Sequence, residues 1–227
     1  MVTGSDVIGG SVGRNGQNKL SDVGIVQKLI NARASLRPGI PGLVVDGRHG
    51  ATTQAAIDAV LKSLNVSSNG LIEPRKQAIL SLWPVAYSNP TGKGIRGTDA
   101  MGSGHYGASR AGGLRTHKGS DYIVIVGQSV KAPMSGYVKR IAKPYRSGTD
   151  SGVLSGIQII GADGYKCKLW YMKVKAGLVG SLVTAGADTV GKALTLRNRH
   201  GQSITEHIHV ELQTHSGLQL DPTTLIK

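Results

Sequence analysis

The stretch "EHIHVEL", Glu206 to Leu212, decides how the larger part of this chain folds. His207 and His209 flank Ile208, and apolar residues then alternate onward through Val210 to Leu212. Successive side chains of an extended strand point to opposite faces, so a period of two predicts a β-strand. Ile208 and Val210 turn into apolar packing while both histidines project together from the opposite face. Two buried imidazoles on one face each need a polar partner. A metal ion on that face is one such partner.

Working outward, the same period recurs in "DYIVIV", "SVKAP", "GYVKRIA", "GIQIIG", "CKLWYMKV" and "ALTLR", with glycine-containing turns between the runs. This pattern predicts a compact antiparallel β domain. The N-terminal part reads differently. "LSDVGIVQKLINAR" predicts a helix over 20–33, with Ser21 or Asp22 as its cap and Val23, Val26, Leu29 and Ile30 as its apolar stripe. Asp46-Gly47 marks a tight turn, and Thr52 or Thr53 leads into a second helix near 53–64. A short third helix is expected from Pro74 to about Trp83, with proline in its first turn. Residues 87–104 are rich in turn formers and hold the domain boundary. The expected class is α+β, with a small three-helix domain over 1–90 and a β-sheet-rich domain over 91–227.

Composition narrows the function. Of 227 residues, 39% are apolar and 18% charged, which suits a packed core and argues against disorder. The formal net charge is +14, and both parts of the chain are basic without any polybasic run. Such a surface suits a polyanion, whether nucleic acid, a teichoic polymer or an anionic envelope. Nucleic acid is disfavoured because aromatic residues make up only 4% of the chain, too few for base-stacking platforms. Cys167 is the single cysteine, so no intrachain disulfide framework forms. The N-terminus lacks a basic region followed by an apolar one, and no run reaches the length of a membrane span. The expectation is synthesis in the cytoplasm without a secretory leader and no membrane insertion.

A second motif completes the chemistry. "LRTHKGSDYIVIV" spaces His117 and Asp121 as H-x-x-x-D with Gly119 between them, and Asp121 opens a strongly apolar strand. A carboxylate there is costly to bury unpaired, and a cation would neutralise it. His117, Asp121 and one histidine of the H-x-H pair make two imidazoles and one carboxylate. That donor set, with a fourth position for water, is the composition of a catalytic zinc site. The other histidine would stand beside the water, placed for acid–base work.

In these motifs the chain resembles the lysostaphin/LytM-type zinc endopeptidases that cut peptidoglycan peptides, over roughly residues 101–225. "HYGASR" is similar to that family's aromatic-Gly-x-Arg entry, "THKGSD" to its H-x-G-x-D motif, "VGQSVKAPMSGYVKRI" to its following hairpin, and "HIHVEL" to H-L-H-F-E. The resemblance implies Zn2+ held by His117, Asp121 and His209, with His207 as the catalytic histidine. The family has a further histidine in a Y-x-H stretch. Here "LWYMKV" puts Lys173 in that place, after Tyr171 and Met172. Lys173 and Tyr171 are therefore the other candidate catalytic residues, and His200 in "RNRHGQ" is a third source of an acid–base group. The Tyr-x-Lys variant also resembles the vertebrate leukocyte-derived chemotaxins, regarded as zinc-containing binders without peptidase activity.

"DVGIVQKLIN…VDGRHGATTQAAI" is similar to a three-helix peptidoglycan-binding domain, with His49 where that pattern has Phe. The implied function is a zinc-dependent peptidoglycan endopeptidase acting in the bacterial periplasm or cell wall. It would be an antibacterial effector delivered by a type VI-like machine, or a phage lysis or virion enzyme. Its partners would be peptidoglycan, an immunity protein, and secretion or phage machinery. The alternative is a catalytically inactive zinc-containing wall- or ligand-binding protein.

Overall fold

A computed structural model describes the chain except for residues 1–7, 35–38, 64, 67–68, 75–78, 80–81, 83–84 and 146–152. The chain divides into two compact units, Met1–Val85 and Ala86–Lys227. Residues 86–90 belong to the second unit. Tyr87 bridges to Met134, the Ser88 N–H donates to the Pro133 carbonyl, and the Asn89 N–H donates to the Lys227 carbonyl.

In the first unit, helix α1 (Leu20–Ala34) and helix α2 (Ala51–Ser63) bury facing apolar stripes. Val23, Val26, Leu29 and Ile30 of α1 are fully buried, as are Ala56, Ile57 and Val60 of α2. Each large side chain so buried contributes about 1.5–3 kcal/mol. Asp22 does not cap α1. It lies inside the first turn, and its carboxylate accepts the backbone N–H groups of Gly9 and Gly10, tying the preceding loop down. Gln27, buried within α1, accepts from the backbone N–H groups of Asp46 and Gly47 and donates to the Asp46 carboxylate. It thereby fixes the Asp46-Gly47 turn, where Gly47 has φ 73°. Strands β1 (Val12–Gly13) and β2 (Leu71–Ile72) pair antiparallel, an element the sequence pattern did not suggest because each is two residues long. The expected helix from Pro74 to Trp83 falls largely outside the described residues. Ile79 and Leu82 within it are described and buried.

The second unit is mostly β. Two short hairpins come first, β3 (Thr98–Asp99) with β4 (Gly102–Ser103) and β5 (Ser109–Arg110) with β6 (Arg115–Thr116). The main antiparallel sheet contains β7 (Ser120–Ile123), β8 (Ser129–Lys131), β9 (Gly136–Ala142), β10 (Ser155–Ile160), β11 (Lys166–Val174), β12 (Leu182–Val183), β13 (Thr189–Ala193), β14 (His207–Gln213) and β15 (Gln219–Leu220). Alternate residues of the long strands, among them Ile157, Ile159, Cys167, Leu169, Ile208, Val210 and Leu212, meet in one buried apolar cluster. The opposite face carries the histidines. Among the described residues no helix is long and apolar enough to cross a membrane.

One irregularity shapes that face. Gly156 of β10 pairs with Trp170 of β11, but the next residue back, Ser155, pairs with Met172. Tyr171 is thus an extra residue, a bulge, and its φ of 79° lies in the left-handed region that costs a bulky residue energy. At the same point β11 changes partner. Trp170 pairs with His209 of β14, whereas Met172 pairs with Ala193 of β13. The bulge resets the strand's alternation, so Met172 enters the core while Trp170 and Tyr171 both line the histidine face.

Candidate metal centre

β7 and β14 bring the two motifs together. In their register His209 lies directly opposite Asp121, and His207 opposite Ile123. The backbone N–H of Asp121 donates to the Gly104 carbonyl, and its own carbonyl accepts from the Arg96 N–H. It therefore faces His209 as a non-hydrogen-bonded pair, the closer of the two antiparallel arrangements. His117, four residues earlier, is positioned by a loop in which its N–H donates to the Ala108 carbonyl. Its Nδ1 lies 2.8 Å from the His105 carbonyl, which makes Nδ1 the protonated nitrogen and leaves Nε2 bare.

That bare Nε2 stands 2.9 Å from His209 Nδ1 and 3.3 Å from Asp121 Oδ1. His209 Nδ1 is 2.8 Å from the same carboxylate oxygen. All three residues are buried, and together they form a cluster able to hold a metal ion. Ligands about 2.0–2.1 Å from a tetrahedral zinc stand about 3.3 Å apart. The three separations here approach that triangle. Without a cation, acceptor lone pairs would crowd one point unless a proton were shared among them. The donor set thus fits zinc on its own chemistry.

The surroundings fix each member. Burial pushes the Asp121 carboxyl up, but the closeness of His117, His209 and His207 outweighs it and holds the group well below the usual carboxylate range. Arg96, itself buried, binds the other oxygen, with Nε and Nη2 at 3.2 and 2.9 Å from Asp121 Oδ2. Arg96 also pairs with Asp99 at 2.7 Å. Burial works against the Asp99 carboxylate, but the Thr205 amide, Arg96 and the Met101 amide prevail and bring its pKa to about 2. His209 stacks on Trp170, with ring centroids 5.1 Å apart and planes 9° from parallel. Its Nε2 faces Glu211 at 3.7 Å, and Glu211 in turn pairs with Lys168 at 3.1 Å.

His207 stands beside the trio. Its Nδ1 is 2.7 Å from the Thr205 carbonyl, which points a bare Nε2 at Asp121 Oδ2, 3.6 Å away. Burial lowers its pKa more than Asp121 raises it, so the ring is neutral near pH 7. Tyr171 meets it edge-on at 5.4 Å. Burial and the neighbouring Tyr145 keep the Tyr171 phenol protonated. Lys173 is exposed and, among the described residues, makes no hydrogen bond or ion pair with the trio or with His207. His200 ends a four-residue helix, Arg197–His200, with Nε2 2.7 Å from the Tyr145 hydroxyl. His49, in the first unit, is bonded to Gln54.

No protein-family model matches the chain. It is 30% identical over 134 residues to leukocyte cell-derived chemotaxin-2 of Mus musculus, covering 59% of this chain and 83% of that protein. The chain belongs to the leukocyte cell-derived chemotaxin-2 family. It is also 34% identical over 128 residues to Myeloid protein 1 of Gallus gallus, 56% of this chain, but it spans only 37% of that protein's length. Among solved structures it is similar to a zinc containing peptidase from Vibrio cholerae (TM-score 0.44, 21% identity, 62% of this chain and 40% of that one). It is similar as well to the antimicrobial peptidase lysostaphin from Staphylococcus simulans (TM-score 0.43, 20% identity, 62% and 54%). In this member of the chemotaxin-2 family, three residues with parts at the centre carried no signal in the sequence pattern. Arg96 and Asp99 sit in a glycine-rich stretch without periodicity, and Trp170 reads as an ordinary strand residue.

Gly119 makes the approach of the two motifs possible. A Cβ there would overlap the Val210 carbonyl and come within 2.8 Å of His209 Nε2. Gly119→Ala is therefore expected to push His209 off its position, lowering zinc affinity at least tenfold and destabilising the unit by about 1–3 kcal/mol. Metal titration and thermal unfolding of the variant check this. Zinc binding equal to wild type would contradict it.

Proposed function

We propose that this chain is a zinc-dependent peptidoglycan endopeptidase that cuts peptide bonds of the stem or cross-link. The observation that carries the reading is the buried His117, Asp121 and His209 trio with His207 aimed at its edge. These three residues would hold the ion through Nε2, Oδ1 and Nδ1. Bound there, zinc supplies Lewis acidity, polarising a carbonyl and lowering the pKa of water. The chain's own residues do the rest. His207, neutral and anchored through its Nδ1–H, accepts a proton at Nε2 and returns it to the leaving amine. The protonated Tyr171 phenol and the Trp170 ring shape the face on which the peptide lies, and Arg96 keeps Asp121 ionised. Among the described residues no imidazole outside the trio makes a ring contact with His207, and His200 is engaged with Tyr145.

In this reading the first unit binds the wall and raises the local concentration of the hydrolase on an insoluble substrate. The protein acts in the periplasm or wall, as an antibacterial effector with an immunity partner or as a phage enzyme. Among the described residues Lys173 makes no hydrogen bond or ion pair with His207, which favours a second reading: a zinc-containing binding protein without turnover, as the chemotaxin kinship also suggests. Incubation of zinc-loaded protein with purified sacculi separates the two. Soluble muropeptides with newly freed amino groups, found by mass, are expected. No release from walls of several cross-link chemistries would defeat the hydrolase reading.

A further inference from the structure

Beyond the bulge at Tyr171, Lys173 lies beside β13 and not β14, where it pairs with Lys192. With Met172 in the core, Lys173 emerges into a cavity of about 610 Å³, walled by Ile141, Val153, Val174 and Leu194 and flanked by Lys143. Ile141 and Val153 keep 40% and 58% of their surface exposed, unusual for large apolar side chains inside a concavity. Ser155 also lines it, but its hydroxyl is spent on the Met172 carbonyl. Among the described residues no acidic side chain lines the cavity, and neither lysine has a carboxylate partner. Apolar walls with two ammonium groups that no described carboxylate neutralises suit an anion on a short aliphatic body. The cavity also adjoins the histidine face. The Leu194 N–H donates to the Tyr171 carbonyl, and the Tyr171 ring edge rests on His207.

We propose that this cavity is a carboxylate subsite and that Lys143 and Lys173 recognise the free C-terminus of a peptide ending in a small aliphatic residue, the D-alanine end of a stem peptide. The anionic preference stands on the cavity alone, while the choice of occupant rests on the hydrolase reading. Lys173, at the position where the lysostaphin-type peptidases that the sequence resembles have a histidine, is on this account a binding residue and takes no part in proton transfer. A bound carboxylate there would direct the preceding backbone past Tyr171 towards His207.

The probe is diacetyl-Lys-D-Ala-D-Ala, compared with the same peptide capped as its C-terminal amide. Binding to the zinc-loaded full chain is followed by calorimetry and by amide chemical shifts of β9 and β11. The free acid is expected to bind at least tenfold more tightly than the amide. Lys143→Ala with Lys173→Ala should abolish the difference, Lys143→Arg with Lys173→Arg should retain it, and all forms should hold one zinc. Equal binding of acid and amide, or a preference that survives the double alanine variant, overturns the proposal. Should sacculi resist digestion while the preference holds, the hydrolase reading falls and the carboxylate subsite stands. Digestion without any preference gives the reverse.

Discussion

His209→Ala is expected to strip the second unit of its metal. Wild-type protein purified without chelator should carry one zinc per chain, and the variant less than a tenth of that by elemental analysis. The trio is the reason. Only two of the three donors remain, and the carboxylate loses the imidazole 2.8 Å from it. Stability should follow. A ligand present at a thousand times its dissociation constant stabilises the folded state by about 4 kcal/mol. For a unit of this size that corresponds to a fall of roughly 10 °C in Tm. Chelator added to the wild type should reproduce most of the fall, and added to the variant almost none. Unchanged metal content would show that the ion, if any, sits elsewhere.

His207→Ala should do the opposite: keep the metal and lose the chemistry. The ring is two residues from His209 on the same face, yet its Nε2 lies 3.6 Å from the carboxylate oxygen already occupied by Arg96. It is a neighbour of the trio and not a member. Zinc content should stay near one equivalent while muropeptide release falls by about 10²–10⁴-fold, the usual worth of a positioned acid–base group. Loss of zinc together with activity would place His207 among the ligands. Full activity in a zinc-loaded variant would move the proton transfer to another group, Tyr171 being nearest.

How much of this was readable in advance depends on whether the signal was local. The strand "HIHVEL", the helix over 20–33 and the spacing of His117 to Asp121 follow from side-chain alternation, an apolar stripe and a turn glycine, all short-range. Arg96 illustrates what was not. Its place beside Asp121 is set by Gly104 lying close against it, where a Cβ would come within 2.6 Å of Arg96 Cβ, and no periodicity announces such an approach. The assignment of Lys173 by position along "LWYMKV" likewise could not foresee where its side chain lies. Alternation counted from Trp170 fails because the next residue, Tyr171, takes φ 79° and adds one residue to the strand. The N-terminal strand pair, at two residues each, was too short for any pattern to register.

The buried Arg96 has a consequence for which ions the centre can accept. By holding Asp121 Oδ2 with two N–H groups, it leaves only Oδ1 for coordination. The carboxylate would thereby offer a bound ion one oxygen, and the other two donors of the cluster are nitrogens. Calcium, which takes six to eight oxygens and often a bidentate carboxylate, finds too few donors of the wrong kind. Magnesium, which demands an octahedron of oxygens, fares no better. The guanidinium would therefore act as a filter on coordination number, favouring borderline-soft cations content with four ligands.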